Sequence, residues 1–167
     1  AVETIASLGL KAGSWGFSRC VPSDIDVNAE VGVNAVICEI ATSQDKLKAY
    51  NFTEDLVYDS AIKSIIHAKE KGLKVAFFAV DATKTRLEFL KKICVDAVRI
   101  GKADEIVVPD TMGGASPETM DFLVRQVKQW VNVPVHVHCH NDLAIGTACS
   151  LAGIRAGADW IHVSVNG

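Results

Sequence analysis

No stretch of this sequence approaches the ~20 consecutive apolar residues that a membrane-spanning helix requires, although 49% of its 167 residues are hydrophobic. With a mean hydropathy of +0.22, those residues are expected to fill the core of one domain, and no membrane partner is expected. The N-terminal AVETIASLGLKAGSW lacks the basic start and continuous apolar run of a secretory signal, so a cytoplasmic location is expected. There is no basic stripe, and the net charge is −3, which argues against nucleic acid as a partner. Paired cysteine motifs are also missing. The five cysteines (Cys20, Cys38, Cys94, Cys139 and Cys149) are scattered, odd in number and form no C-x-x-C, which reads as reduced, packed thiols rather than a zinc cluster.

What is present is one recurring unit. A helix-like segment ends in glycine, a few residues follow, and a short apolar run then ends in polar residues. Examples are AEVGVNAVICEIATS, KEKGLKVAFFAVDATKT and RAGADWIHVSVNG. Gly9, Gly32, Gly72, Gly101 and Gly157 stand where a helix C-terminus needs a left-handed residue. Apolar stripes at helical spacing run through Leu56, Ala61, Ile62, Ile65 and Ile66, and through Leu87, Leu90, Ile93, Cys94 and Val98. Ser116-Pro117-Glu118 and Thr53-Glu54-Asp55 mark two helix starts.

The nearly continuous apolar runs predict six strands, near residues 14–18, 35–40, 74–80, 105–109, 134–139 and 160–165. Such runs suit strands covered on both faces, and their alternation with helices implies an α/β fold with a parallel sheet. Periodicity alone does not separate a doubly wound sheet from a barrel. The polar residues do, because Arg19, Thr42, Ser43, Asp81, Asp110, Thr111, His138, His140 and Asn166 all fall at strand C-terminal ends. Those ends share one mouth in a (β/α)8 TIM barrel. A dinucleotide-binding sheet would want a glycine-rich phosphate loop, and MGGASP is a poor match to one. A complete barrel typically takes ~250 residues. The expectation is therefore an incomplete barrel of about six βα units, a partial catalytic domain spanning residues 1–167.

Within VPVHVHCHND, His136, His138 and His140 recur at every second position and so point to one side of a strand. Imidazoles at i and i+2 can converge on one divalent ion. The bland alternative is a set of core histidines hydrogen-bonded to carbonyls. His136 lies deeper and reads as a core residue, His138 and His140 lie nearer the mouth and read as metal ligands, and Cys139 points the opposite way, toward packing. Thr111 is a small hydroxyl donor at the mouth, or merely the opening of a turn. Arg19 can bind a carboxylate bidentately, or close a salt bridge within the rim. Thr42 and Ser43 are candidates for the same mouth, or for a helix cap.

HCHNDLAIGTACSLAGIRAGADWIHVSVNG resembles the signature of the DRE-TIM metallolyases, of which HMG-CoA lyase is one, and most closely their isopropylmalate, citramalate and homocitrate synthase branch. GFSR at 16–19, IATS at 40–43, DATKT at 81–85 and PDTMG at 109–113 are similar to family segments in the correct order. The resemblance covers barrel strands three to eight. It implies a divalent metal (Mn, Mg, Zn or Co) held by His138 and His140. The family's remaining protein ligands are an Asp from the first strand and an Asn beyond the eighth, which this segment does not include. It implies that Thr111 meets the carboxylate of a 2-oxo acid, with Arg19 and Thr42 as further substrate-binding candidates. It also implies an acyl-CoA as the second substrate and a homo-oligomer, a dimer.

One departure qualifies this. Where the synthases commonly read F-S-x-E-D-A-T-R, this chain reads FFAVDATK, with Phe78, Val80 and Lys84 in place of the Ser, Glu and Arg. The missing Glu is the one implicated in acid–base steps, and valine cannot move a proton. The general base is thus unassigned. The expected activity is condensation of an acyl-CoA with a 2-oxo acid, an acyltransferase reaction of amino-acid biosynthesis. The alternatives are cleavage on the same scaffold (an HMG-CoA lyase-like enzyme or a 4-hydroxy-2-oxo acid aldolase), or a catalytically inactive partial barrel.

Overall fold

The computed structural model describes residues 1–165; Asn166, expected at the end of the last strand, lies outside the described residues. Strands and helices alternate from β1 (Trp15–Arg19) through α2 (Pro22–Glu30), β2 (Ala35–Ala41), α3 (Gln44–Tyr50), α4 (Glu54–Glu70) and β3 (Lys74–Val80). They continue through α5 (Leu87–Arg99), β4 (Glu105–Asp110), α6 (Pro117–Trp130), β5 (Val135–Cys139), α7 (Gly146–Arg155) and β6 (Trp160–Ile161). A short helix, α1 (Val2–Ala6), precedes them. The six strands form one sheet in sequential order, every neighbouring pair parallel. β1 and β6 are its edges, so the described residues form an open arc of six units rather than a closed barrel.

Local chemistry explains the helix starts. Ser43, Thr53 and Ser116 are extended residues whose hydroxyls accept a backbone N–H of the first turn of α3, α4 and α6. Pro117 then opens α6 with a preset φ and no stranded donor. The buried side chains of α4, α5 and α6 meet one face of the sheet, where Val36, Cys38, Val75, Phe77, Ile106, Val108, Val135 and Val137 complete the main core. The opposite face carries a smaller apolar cluster of Ala76, Phe78 and Val107, flanked by Ile37 and Val80. That second face bears the site.

Two expectations need correction. Gly101 does not adopt a left-handed conformation; Lys102 does, with φ of 65°. Gly101 is buried, and a Cβ there would lie 2.8 Å from Ala97 O and 2.9 Å from Ile65 Cγ2, so close packing rather than backbone sign demands glycine. The last strand is also shorter than 160–165. It is hydrogen-bonded to β5 alone, and only Trp160 and Ile161 pair in register.

Candidate functional site

The site is built where β4, β5 and β6 end. In β5, Val135 and Val137 point into the helix-side core, which sends His136 and His138 to the other face. His138 is half-buried and His140 exposed. Their Nε2 atoms stand 3.3 Å apart. Two nitrogens each about 2.1 Å from one ion, at an angle near tetrahedral, lie about 3.4 Å apart, so this pair has the spacing of two ligands on one cation. Burial, with His140 second, pushes the His138 pKa below its usual value. That direction favours the neutral ring, whose lone pair a ligand needs. Among the described residues no third His, Cys, Asp or Glu joins the pair to complete a cage.

His162, which sequence reasoning passed over, stands directly beside them. Its backbone N–H donates to Val137 O at 3.0 Å, continuing the β5–β6 ladder by one residue. Its ring Nδ1 lies 3.1 Å from His138 Nδ1 and its Nε2 3.0 Å from His136 Nδ1. It thus touches the side of His138 remote from His140 and does not point into the gap between the pair. Desolvation, then the neighbouring rings of His138 and His136, lower its pKa to about 4. Its signal in the sequence is a histidine two residues after Trp160, itself the register partner of His136. His136 is the core residue expected: it is 7% exposed and its Nε2 lies 2.6 Å from Glu105 Oε2. Cys139 packs against the helix-side core as expected.

The loop after β4 holds His140 in place. Asp110 accepts from Gly114 N and Thr83 Oγ1 at one carboxylate oxygen and from Ala115 N at the other. Its carbonyl accepts the His140 N–H at 3.2 Å. Gly113, at φ of +59°, packs so closely on Asp142 that a Cβ would lie 2.8 Å from the Asp142 backbone nitrogen. Asn141 caps the next helix through its side-chain oxygen and the Gly146 N–H, 2.8 Å. A cavity of about 650 Å³ opens beside this corner, lined by His138, His140, His162, Gly146, Ser150 and Ile161 among others.

The other candidates separate. Thr111 follows Asp110 directly, and its Oγ1 accepts the Asp81 N–H at 2.8 Å, which leaves the hydroxyl proton free to donate. Thr42 is fully buried; its hydroxyl donates to Val80 O and meets Thr85 Oγ1, so it braces the rim rather than facing the opening. Ser43 donates to the buried Asp81 carboxylate at 2.6 Å. Arg19 lies in bidentate contact with Asp24, at 2.6 and 3.0 Å, which is the rim salt bridge weighed as its alternative. It lines a second cavity of about 730 Å³ at the ends of β1 and β2, which shares no lining residue with the histidine cavity. Glu39 faces that second cavity beside Val80, and burial raises its carboxyl pKa. It is an acid that the motif-based reading did not consider.

A parallel βα arc with polar residues gathered at the strand C-terminal ends defines part of a (β/α) barrel. The fold agrees with the carboxyl transferase domain of Rhizobium etli pyruvate carboxylase solved with pyruvate: TM-score 0.68 at 17% identity, over 91% of this chain and 27% of that one. The profile of the HMGL-like family matches residues 1–167, and the chain belongs to that family. It is 41% identical to a 2-isopropylmalate synthase of Methanocaldococcus jannaschii, over 100% of this chain and 32% of that protein. It is 39% identical to the homocitrate synthase AksA of Methanothermobacter thermautotrophicus, over 99% and 42% respectively. The chain thus spans well under half the length of these relatives.

Proposed function

We propose that this chain is the metal-bearing part of an enzyme that condenses an acyl-CoA with a 2-oxo acid. The observation that carries the reading is the His138–His140 pair, its Nε2 atoms 3.3 Å apart at the mouth end of β5. A divalent ion bound there would supply Lewis-acid polarisation of the 2-oxo acid carbonyl. The chain's own residues would do the rest. Thr111, already fixed by the Asp81 N–H, would donate its hydroxyl proton to the substrate carboxylate. Phe78, Val80 and Ile37 would present an apolar wall to the substrate side chain. Arg19 would reach a carboxylate only by exchanging Asp24, and Thr42 would act by holding Val80 and Thr85 in place. In the overall reaction the acyl α-carbon adds to the keto carbon and water cleaves the thioester, releasing free thiol. The relatives' printed names, 2-isopropylmalate synthase and homocitrate synthase, support this class. The same reading places the protein in the cytoplasm and makes it a homodimer.

The test is thiol release by the full-length protein with Mn²⁺, acetyl-CoA and a panel of 2-oxo acids. Release with at least one acceptor, abolished by His138→Ala, is expected. No release with any acceptor contradicts the reading. One observation favours a second direction: the outer positions of β3 on the site face, Phe78 and Val80, carry no acid. Cleavage of a 3-hydroxyacyl-CoA or a 4-hydroxy-2-oxo acid by the same protein would support a lyase instead.

A further inference from the structure

The site face holds more histidine than a two-ligand pair requires. Glu105 (β4), His136 (β5), His162 (after β6) and His138 (β5) form a continuous line of polar contacts. Glu105 begins it: its side chain is 3% exposed, and Lys74 Nζ pairs with its Oε1. Its Oε2 lies 2.6 Å from His136 Nε2, and among the described residues neither atom has another partner. The His136 N–H is not aligned for a hydrogen bond, but at 2.6 Å the Glu105 Oε2 is the polar atom that faces it among the described residues. From there His136 Nδ1 meets His162 Nε2 at 3.0 Å, and His162 Nδ1 meets His138 Nδ1 at 3.1 Å.

The order of protons along this line follows from its anchored end. A carboxylate paired with lysine only accepts, so the proton in the first contact sits on His136 Nε2. Burial of the ring, 7% exposed, disfavours its charged form, so His136 offers Nδ1 as an acceptor, which places a proton on His162 Nε2. His162 Nδ1 is in turn an acceptor, which places a proton on His138 Nδ1. The result at the end of the line is a bare His138 Nε2, the atom that faces His140.

We propose that Glu105, His136 and His162 are positioning residues that hold His138 as its Nδ1–H tautomer, with the Nε2 lone pair directed at the ion site. The consequence for metal binding rests on the reading above; the tautomer itself does not. A ligand histidine commonly donates its other ring N–H to a carboxylate or carbonyl, and loss of such a partner weakens metal binding by about 10- to 100-fold. Here the acceptor is another imidazole, and the carboxylate stands two rings away. The ring is also fixed sideways: Phe78 packs edge-on to His138 at 5.2 Å between centroids, so the hydrogen-bond line sets its proton and Phe78 its tilt.

The experiment uses the metal-free full-length protein labelled with ¹⁵N-histidine, with ring-nitrogen shifts as the first reading and Mn²⁺ affinity as the second. In the wild type, His138 shows a protonated Nδ1 and a pyridine-type Nε2. His162→Phe, which keeps ring volume but removes the acceptor, mixes the His138 tautomers and weakens Mn²⁺ binding by about 10- to 100-fold. His162→Gln, whose side-chain oxygen can accept from His138 Nδ1, restores most of both. Glu105→Gln, which leaves buried volume unchanged, moves both readings in the direction of His162→Phe and serves if that variant does not fold. A wild-type His138 carrying its proton on Nε2 overturns the proposal, as does a folded His162→Phe or Glu105→Gln with wild-type shifts and affinity. If wild-type protein shows the predicted tautomer but binds no Mn²⁺, the metal reading fails while the line of protons stands.

Discussion

At the scale of single residues, Phe78 joins the inner apolar cluster to the candidate site. It is 4% exposed and packs edge-on against Phe17 at 5.6 Å and against His138 at 5.2 Å. An aromatic ring there both fills the small inner cluster and narrows the space beside the proposed ligand. Phe78→Ala is expected to destabilise the protein by about 3 kcal/mol, read as a lower urea midpoint. If the full-length protein tolerates it, the proposed function predicts that preference among 2-oxo acids moves toward bulkier side chains. An unchanged acceptor profile would show that Phe78 is core only. The same residue marks what the sequence made legible. The alternation His136, His138, His140 predicts a gradient of depth, and the structure follows it, with His136 buried, His138 half-buried and His140 exposed. His162 was hidden because its contacts lie 24 and 26 residues away, and local spacing carries no information on parallel-strand register.

At the scale of elements, the β4–α6 loop is what keeps the histidine segment in position. Asp110 gathers two loop N–H groups and the Thr83 hydroxyl on its carboxylate, and receives the His140 N–H on its carbonyl. Gly113 lets the loop lie against Asp142 through a positive φ and the lack of a Cβ. Gly113→Ala is expected to cost about 1–3 kcal/mol and to weaken Mn²⁺ binding, because the backbone it would displace follows His140 by two residues. Calorimetric melting and a Mn²⁺ titration check the two effects. A wild-type melting curve would mean the loop adapts. Strand positions, most of the helix stripes and two of the caps were legible because each is set by neighbours within one turn or one pleat. Gly101 was misread because the sequence pattern of a C-terminal glycine is the same whether φ or packing demands it. Here Ile65, on a different helix, decides.

At the scale of the whole molecule, the described residues form an arc with two sheet edges and an inner face that is partly apolar and exposed. Phe17 and Trp160 are 54% and 57% exposed on β1 and β6. Barrels remove such edges by closing, and open apolar edges pair with other chains. The 167-residue segment expressed by itself is therefore expected to self-associate, visible as a concentration-dependent sedimentation coefficient. A stable monomer across the micromolar range would contradict that. No helix among the described residues is long and apolar enough to cross a membrane. The barrel architecture was legible from the polar residues at strand ends, whereas the pairing of those ends into two separate cavities was not. Arg19 and the histidines share a mouth in the sequence pattern but line different openings in the fold. The central claim is that His138 and His140 hold one divalent ion, and its most direct measurement is a Mn²⁺ titration of the full-length protein followed by electron paramagnetic resonance. One tight site is expected in the wild type, with at least about a 100-fold loss of affinity in both His138→Ala and His140→Ala. Wild-type affinity retained in either variant would contradict it.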